Sequence, residues 1–366
     1  MKAIILMGGY GTRLRPLTLS VPKPLIHFCN KSIIEYQISA LTKVNVTHVI
    51  LAVSYQPEFI ETNLEDLRRK FNIEITCSVE EIPLGTAGPI SLAEKLLSVS
   101  PHEYFFVLNS DIICDYPLKE MLEFHQNHKG FATILVTVVE EPQHFGVVLF
   151  DKQKKITSFI EKPKHFVGNS INAGLYLFNK SVFQFLKPEP TSIEKEIFPS
   201  LVSQGKMYCL EHKGYWIDIG QPAEFIRGTE IYLEQIATGK ISPILPETLA
   251  KGPNIQGNVI IHPTATIASN CLLGPNVVVG ANCHIGEGVR IKNSSILDSV
   301  LLEGYNVVDE SIVGWESKIG KWAYIKGLTV IGRDVTVAPE CFVNQSIILP
   351  HKKVGNSIFT PNQIIM

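Results

Sequence analysis

Aliphatic residues recur at every sixth position through most of the last third of the chain. The series runs through Ile255, Ile261, Ile267, Leu273, Val279, Ile285, Ile291 and Leu297 and, after one shorter step, through Leu301, Val307, Val313, Ile319, Ile325, Ile331, Val337, Val343 and Leu349. Strands of a sandwich would show a period of two, whereas a fixed period of six is typical of stacked coils with three short faces and about eighteen residues per coil. We therefore predict a parallel β-helix with these aliphatic side chains inside.

Glycine often follows the aliphatic residue of this repeat, at Gly274, Gly280, Gly286, Gly314, Gly320 and Gly332. Glycine adopts backbone conformations that other residues avoid. We therefore expect these glycines to form tight corners between the faces of each coil.

Strand-like and helix-like segments alternate through roughly the first 230 residues. Apolar runs predict strands at 3–7, 48–53, 73–79 and 104–108, and helical spacing predicts helices at 32–44, 58–70 and 87–97. This alternation predicts an α/β fold with a Rossmann-like, mostly parallel sheet covered by helices on both faces. Ligands of such sheets bind beyond the carboxyl ends of the strands. The segments after the first, third and fourth strands are therefore the candidate site.

The length of the chain is sufficient for two domains, each with its own core. Its 366 residues are 45% hydrophobic and 19% charged, which is ordinary for a soluble globular protein. We predict an N-terminal α/β domain at 1–234, a polar and proline-containing linker at 235–253, and the β-helix at 254–366.

Composition also excludes several classes of protein. The first apolar run is too short for a signal peptide and no stretch is long enough for a membrane span, so we expect a cytoplasmic location. Seven scattered cysteines without CxxC spacing disfavour both a disulfide framework and a zinc site. The net charge of −2 argues against a broad nucleic-acid-binding surface.

A glycine-rich loop follows the first predicted strand. It has the sequence GGYGTRLRPLT from Gly8 to Thr18, and Lys23 follows between two prolines. The glycines allow backbone N–H groups to approach an anion, while Arg13 and Lys23 add positive charge. The loop is neither a Walker A motif nor GxGxxG. A solvated turn with surface charges is the alternative, but the combination predicts a site for a triphosphate.

Six further motifs extend this loop into a resemblance that covers nearly the whole chain. They are PKPL (22–25), PLGTAGP (83–89), LNSD (108–111), EKP (161–163), NAG (172–174) and WIDIGQP (216–222). In type and order the motifs resemble those of the sugar-1-phosphate nucleotidylyltransferases. Together with its repeats, the chain is similar to the eukaryotic mannose-1-phosphate guanylyltransferases of that family. The resemblance implies a left-handed β-helix of hexapeptide repeats.

The resemblance implies that GMP is transferred from GTP to mannose 1-phosphate, which yields GDP-mannose and pyrophosphate. No protein nucleophile is needed, because the attacking phosphate is already ionised at neutral pH. Two polyanions must instead be aligned against a repulsion of about 4 kcal/mol per charge pair at about 4 Å and an effective dielectric constant of about 20. Arg13 and Lys23 are our candidates for the nucleotide phosphates, and the resemblance implies Lys162 for the sugar phosphate.

Asp111 and Asp218 are the candidate ligands of a divalent metal ion. Asp111 follows an apolar strand, and Asp218 stands between aliphatic residues, where a carboxylate needs a partner. Mg²⁺ prefers one or two carboxylates together with substrate phosphates, which matches this count. A helix cap or a turn is the alternative for either aspartate.

Glu80 is the candidate residue for selecting the base. A carboxylate can accept hydrogen bonds from both N1–H and N2–H of guanine, whereas uracil and thymine suit an amide. Family members that use uridine or thymidine nucleotides typically have Gln at this position, five residues before a base-contacting glycine, here Gly85. A solvated carboxylate is the alternative.

The resemblance also implies the remaining contacts. For the nucleotide they are Leu6, Gly8, Gly9, Gly11, Thr12, Asn109 and Asp111. For the sugar they are Gly146, Glu161, Lys162, Asn172 and Gly174.

Three other functions stay open at this stage. They are a glucose-1-phosphate nucleotidylyltransferase that uses another nucleotide, a regulatory paralogue without activity, and an acetyltransferase of the β-helical type. The uninterrupted loop from Gly8 to Arg13 and the two aspartates favour a catalytic chain. We expect it to form a homo-oligomer through the β-helix, and the resemblance implies a complex with the regulatory paralogue.

Overall fold

The computed structural model describes residues 1–54, 57–241 and 248–366. They form two compact units. The first contains Met1–Tyr10 and Ile34–Trp216, and the second contains Gly11–Ile33 and Ile217–Met366. The glycine-rich loop is therefore divided between the two units. The predicted domain and linker boundaries stay predictions, and residues 242–247 of the linker lie outside the described residues.

The helices and strands up to residue 241 alternate as the sequence predicts. The α-helices are α1 (Ile33–Thr42), α2 (Pro57–Phe71), α3 (Gly88–Leu92), α4 (Glu94–Ser98), α5 (Leu118–Gln126), α6 (Phe198–Ser203) and α7 (Pro222–Ala237). The strands are β1 (Lys2–Leu6), β2 (His27–Phe28), β3 (Lys31–Ser32), β4 (His48–Val53), β5 (Glu74–Val79), β6 (Tyr104–Asn109), β7 (Ile112–Cys114), β8 (Ala132–Val138), β9 (Gly146–Phe150), β10 (Ile156–Glu161), β11 (Ser170–Asn179), β12 (Met207–Glu211) and β13 (Trp216–Asp218). The predicted helix at 87–97 is interrupted at Ala93, which separates α3 from α4.

A nine-stranded mixed sheet forms the centre of the first unit. The order β6-β1-β4-β5 is parallel, which confirms the Rossmann-like arrangement of the four predicted strands. β11 runs antiparallel to β6 and leads to the antiparallel strands β8, β9 and β10. The central strands β1, β4 and β6 are apolar and buried along most of their length, and Ile4, Val107 and Tyr176 belong to one buried core.

The second unit contains a parallel β-helix, as the six-residue repeat predicts. Its strands are β14 (Val259–Ile261), β15 (Thr266–Ile267), β16 (Leu272–Leu273), β17 (Val277–Val279), β18 (His284–Ile285), β19 (Arg290–Lys292), β20 (Ser294–Ile296), β21 (Leu301–Leu302), β22 (Val307–Asp309), β23 (Ser311–Val313), β24 (Lys318–Ile319), β25 (Tyr324–Lys326), β26 (Thr329–Ile331), β27 (Thr336–Val337), β28 (Phe342–Asn344), β29 (Ser346–Ile348), β30 (Lys353–Val354) and β31 (Gln363–Ile365). They form three parallel sheets of seven, six and five strands.

The inward positions of the β-helix differ in part from the predicted series. Leu302 and Val308 are fully buried, whereas Leu301 and Val307, which the repeat predicts inside, are only partly buried. The register shifts because a single residue, Asn293 with φ of 45°, connects β19 to β20. One-residue corners shorten some coils by one residue, so the inward series contains steps of five as well as six.

Of the six glycines that we expected at tight corners, only Gly274 has a positive φ, of 108°. Gly280, Gly286, Gly314, Gly320 and Gly332 lack positive φ values. Each instead lies where the next coil comes close: a β-carbon on Gly314, for example, would be 2.5 Å from the carbonyl oxygens of two residues one coil further along the chain. Close packing between coils therefore requires glycine here, and the positive φ values occur at non-glycine corner residues such as Asn293.

No helix in the part of the chain that the structure describes combines the length and apolarity needed to cross a membrane.

We predict that Gly314→Ala destabilises the β-helix by about 1–3 kcal/mol, because the added methyl group meets backbone atoms that cannot rotate away. Gly355→Ala is the matched control, since a β-carbon there meets nothing within 4 Å and should change stability by less than about 0.5 kcal/mol. Thermal unfolding of the two variants would check this. Equal midpoints would show that the coil spacing adjusts to the methyl group.

Candidate functional site

The loop after β1 lies against the end of β5 in the first unit. Ser54 Oγ donates a 2.6 Å hydrogen bond to the Gly8 carbonyl oxygen. A β-carbon on Gly8 would lie 2.8 Å from Glu80 Oε1, so a side chain at this position would require the Glu80 carboxylate to shift. A β-carbon on Gly9, in contrast, would meet nothing within 4 Å. The structure therefore brings Gly8 and Glu80 together and leaves space next to Gly9.

Glu80 is a buried carboxylate with one oxygen available. The residue is only 4% exposed to solvent. Oε2 accepts a 2.8 Å hydrogen bond from the Leu84 backbone N–H, but Oε1 has no hydrogen-bond partner among the described residues. Burial raises the pKa of Glu80, although the Leu84 N–H opposes this effect. A ligand with N–H donors would supply the missing hydrogen bond.

Gly85 is held by the segment before α6. It has a φ of +75°, and a β-carbon would lie 2.5 Å from the Thr191 carbonyl oxygen. The same oxygen accepts hydrogen bonds from the backbone N–H groups of Thr86 and Ala87 at 3.1 and 3.0 Å. Both the left-handed backbone and the close approach therefore favour glycine, and the Thr191 carbonyl oxygen anchors the loop after Glu80.

Glu161 and Lys162 lie at the end of β10, next to Gly146 on β9. A β-carbon on Gly146 would be 2.9 Å from Glu161 Oε2. Lys162 Nζ is 3.7 Å from Glu161 Oε1, and its side chain is largely exposed, with 66% accessibility. Burial and the nearby charge of Glu194 raise the pKa of Glu161, while the ammonium of Lys162 lowers it. The cluster therefore offers a partly desolvated carboxylate beside a solvent-accessible cation.

Asn172 and Gly174 on β11 lie beside the end of β6. Asn172 Nδ2 donates to the Tyr176 hydroxyl at 2.9 Å, and its Oδ1 accepts from the Gly174 N–H at 3.1 Å. A β-carbon on Gly174, which has a φ of +78°, would be 2.9 Å from Asn109 Nδ2. The structure thus groups Asn109 with two residues that the sequence associates with the sugar, while Leu6 ends the neighbouring strand β1.

Glu194 is a component of this cluster that sequence reasoning missed. Its Oε2 accepts hydrogen bonds from Thr86 Oγ1 and Ser192 Oγ, both at 2.8 Å. Burial is the main reason why the pKa values of Glu161 and Tyr176 are raised. The negative charge of Glu194 raises both pKa values further. The sequence shows only a glutamate in a helix-capping pattern. Its distance along the chain from Thr86 and Glu161 conceals that the three belong together.

In the second unit, two cations and one carboxylate surround Gly220. Asp218 Oδ1 accepts a 2.9 Å hydrogen bond from the Gly220 N–H, and Arg13 Nη2 is 4.0 Å from Asp218 Oδ2. A β-carbon on Gly220 would be 3.0 Å from Lys23 Nζ and 3.1 Å from Arg13 Nη2. The structure thus places Arg13, Lys23 and Asp218 close together within one unit.

The conformation of the loop places these cations. Gly11 has a φ of +59°, and its carbonyl oxygen accepts a 2.8 Å hydrogen bond from Thr18 Oγ1. 3₁₀ turns follow at Thr12–Leu14 and Leu17–Leu19, and a third, Lys23–Leu25, begins at the cation itself. Arg13 and Lys23 are therefore carried by short, hydrogen-bonded turns.

Both candidate metal ligands are carboxylates. Asp111 lies two residues after β6 in the first unit, and Asp218 is the last residue of β13 and belongs to the second unit. Among the described residues, no group of three or more His, Cys, Asp or Glu side chains could hold a metal ion by itself. Carboxylate oxygen atoms are ligands that Mg²⁺ prefers, and Mg²⁺ commonly uses one or two of them and completes its shell with phosphate oxygens and water.

Two family models match the chain. A family model described as nucleotidyl transferase matches residues 2–235, and one described as the GMPPB C-terminal domain matches residues 255–365. The chain belongs to the nucleotidyl transferase family. The resemblance found in the sequence is therefore confirmed, and so is the prediction that the chain is an enzyme of this family.

Relatives in this family match the chain over its whole length. The mannose-1-phosphate guanylyltransferase catalytic subunit beta of Danio rerio is 49% identical, and the mannose-1-phosphate guanyltransferase of Pichia angusta is 51% identical; each alignment covers 100% of both chains. A solved putative glucose-1-phosphate thymidylyltransferase from Bacillus anthracis has a TM-score of 0.57 and 26% identity, over 62% of this chain and 93% of that one. Nucleotidyl transferases of this family generally use a divalent metal ion.

Proposed function

We propose that the chain transfers GMP from GTP to mannose 1-phosphate and releases pyrophosphate. The choice of guanine as the base rests on Glu80, a buried carboxylate whose Oε1 lacks a hydrogen-bond partner among the described residues. The choice of sugar rests on relatives that bear the name mannose-1-phosphate guanylyltransferase and are 47–51% identical over the full length.

The reaction is an in-line displacement at phosphorus. An oxygen of mannose 1-phosphate forms a bond to the α-phosphorus of GTP, while the bond from that phosphorus to the β-phosphate oxygen breaks. Pyrophosphate leaves with the electron pair of this bond. The residues need only align the two substrates and stabilise the charge that develops on the leaving group.

The cations of the site supply this stabilisation. We assign Arg13 and Lys23 to the α-phosphate and the leaving pyrophosphate of GTP, since both side chains converge near Gly220. We assign Lys162 to the phosphate of the sugar, because its ammonium is exposed yet next to the Glu161 carboxylate. Each cation reduces the repulsion between GTP and mannose 1-phosphate, which is largest where their phosphate groups come closest.

We assign the base to the pocket wall formed by Gly8, Gly9, Glu80 and Gly85. Glu80 Oε1 and Oε2 both have lone pairs left to accept N1–H and N2–H of guanine. The space beside Gly9 leaves room for a ring system. Further nucleotide contacts belong to the same proposal: Leu6, Gly11, Thr12, Asn109 and Asp111.

The sugar subsite of the proposal uses Glu161, Asn172, Gly174 and Gly146. Carboxylates and amides are suited to hydroxyl groups because they accept and donate hydrogen bonds at defined angles. We add Glu194 to this set, since its hydrogen bonds to Thr86 and Ser192 fix it close enough to influence Glu161.

For the metal ion we propose Mg²⁺, with Asp111 and Asp218 as protein ligands. Bound there, Mg²⁺ would neutralise phosphate charge and orient the phosphate oxygens. We also propose a cytoplasmic location, which the free state of all seven cysteines supports, because thiols stay reduced in that compartment.

A substrate panel tests the proposed function. The purified chain should release pyrophosphate fastest from GTP with mannose 1-phosphate, and kcat/KM should fall about tenfold or more when UTP, ATP or glucose 1-phosphate replaces its counterpart. Faster turnover of another pair would assign the chain a different specificity. No turnover with any pair would favour a regulatory paralogue, and acetyl transfer from acetyl-CoA would assign a different chemistry.

A single substitution tests base selection. Glu80→Gln should lower kcat/KM for GTP by about 10²-fold or more and narrow the gap to UTP, because the amide replaces one acceptor by a donor that faces the donors of guanine. Glu81→Gln is the matched control, since Glu81 is the exposed neighbour. An unchanged ratio of GTP to UTP rates in Glu80→Gln would refute this role.

We further propose that the chain forms a homo-oligomer through the β-helix. Tyr305 and Trp322 occupy corners of successive coils, stack with ring centroids 4.4 Å apart, and are 39% and 60% exposed. Two adjoining exposed aromatic side chains are typical of an interaction surface. A complex with a regulatory paralogue is a further candidate for the same surface.

Light scattering tests this assembly. The purified chain should have the mass of two or more protomers, and the double variant Tyr305→Ser/Trp322→Ser should have a smaller mass because it loses an apolar contact. Phe166→Ser, at a residue that is 77% exposed in the first unit, serves as control. A wild-type mass of one protomer, or equal masses for all three proteins, would contradict the proposal.

A further inference from the structure

The segment Gly11–Ile33, which carries Arg13 and Lys23, belongs to the same compact unit as the β-helix. This grouping is not apparent from the sequence, where more than 200 residues separate the segment from the first coil. Side-chain contacts connect the segment to the coils.

Two side chains of a short hairpin make these contacts. The hairpin consists of β2 and β3, with Cys29 and Asn30 at positive φ in its turn. Asn30 Nδ2 donates a 2.9 Å hydrogen bond to the carbonyl oxygen of Val279 at the end of β17. His27 Nδ1 lies 2.9 Å from Asp298 Oδ2, at ion-pair distance but without the alignment of a well-formed hydrogen bond.

Asp298 is built into the coil rather than attached to its surface. Its Oδ1 accepts a 2.9 Å hydrogen bond from the Ala281 N–H of the preceding coil. A β-carbon on Gly280 would lie 2.5 Å from this Oδ1, so glycine is required to make room for the carboxylate. Burial by itself would raise the pKa of Asp298, but His27 and the Ala281 N–H outweigh it and lower this pKa below its ordinary value. The carboxylate therefore has one oxygen fixed by the coil and the other near His27.

The contact with His27 lies only four residues from Lys23. The Ile26 N–H donates to the Lys23 carbonyl oxygen at 3.1 Å, and the Ile33 N–H donates to the Ile26 carbonyl oxygen at 3.1 Å. These hydrogen bonds join the 3₁₀ turn of Lys23 to the hairpin. A displacement of the hairpin would therefore displace Lys23.

Phe28 connects the same hairpin to α7, the helix that follows Asp218. Its ring is fully buried and packs edge-on against Phe225 and Tyr232 at centroid distances of 5.4 and 5.7 Å. The hairpin thus contacts both the coils and the helix after the carboxylate. Its position affects all the charged groups around Gly220.

We propose that Asp298 of the β-helix is a positioning residue for the transfer reaction: through His27 it fixes the segment that places Arg13 and Lys23. The coils then contribute to the chemistry by setting where two cations lie, in addition to any role in assembly. This inference rests on the proposed function for its kinetic effect but not for the structural contact itself.

Kinetics of matched variants test the proposal. Asp298→Asn should lower kcat for GDP-mannose formation by about tenfold, since a misplacement of the order of 1 Å can cost up to about 10²-fold, while KM for mannose 1-phosphate changes less than about twofold. His27→Gln should have a similar effect. The double variant should be no slower than Asp298→Asn alone, because both substitutions remove the same contact.

The chain offers a matched control in the same β-helix. His351 Nδ1 and Asp334 Oδ2 are also 2.9 Å apart, and neither residue belongs to the segment or its contacts. Asp334→Asn should keep the wild-type kcat. A wild-type rate for Asp298→Asn, an equal loss in Asp334→Asn, or multiplicative losses in the double variant would overturn the proposal.

Hydrogen exchange separates this proposal from the proposed function. Amides of residues 11–33 should exchange faster in Asp298→Asn than in the wild type or Asp334→Asn, with the largest change at Ile26 and Ile33. If the wild type makes no GDP-mannose, the proposed function fails. The exchange result still shows whether Asp298 fixes the segment 11–33. Unchanged exchange, or a general loss of protection across the β-helix, would overturn the positioning role.

Discussion

Close approach at glycine is the steric constraint on which both units depend. In the β-helix, a β-carbon on Gly314 would collide with the carbonyl oxygens of the next coil. In the first unit, the same constraint applies at Gly85, where a β-carbon would collide with the carbonyl oxygen of Thr191. Because backbone atoms cannot move aside without shifting a whole strand or loop, each such glycine fixes the separation of two elements. The spacing of the coils and the geometry of the site therefore have the same physical origin.

The candidate site combines this rigidity with an electrostatic cost. Glu80 is buried, and its Oε1 has no partner among the described residues, so its charged form is poorly solvated. A protein selected for stability alone would not keep such a group, because an unsatisfied buried acceptor costs about 1–3 kcal/mol and more for a charge. A ligand with two adjacent N–H donors would remove the cost on binding, whereas one with acceptors there would increase it. Selectivity of this kind follows from the penalty for the wrong ligand.

The sequence is informative about the fold and only partly about the site. The six-residue period predicts the β-helix because inward side chains must recur once per face, but the one-residue corner at Asn293 leaves no such signal, and the predicted phase is wrong at Leu301 and Val307. Residues such as Lys162 are identifiable from the sequence because they belong to short, recognisable sequence motifs. Glu194 is not, since its relation to Glu161 arises only when the sheet and the segment before α6 pack together.

The division of the chain into compact units changes how the β-helix is understood. A repeat domain that follows a catalytic domain suggests two independent modules, and then the coils would serve assembly alone. Here the coils share a unit with the loop segment Gly11–Ile33 and with α7. A parallel β-helix is stiff because every coil is hydrogen-bonded to its neighbours along three sheets, so it provides a fixed reference for any segment attached to it. Mobile loops that carry phosphate-binding cations must be ordered before they can stabilise developing charge, and a preformed contact with a stiff scaffold removes that entropic cost before the substrate binds. The β-helix is therefore suited to pre-organise the cations.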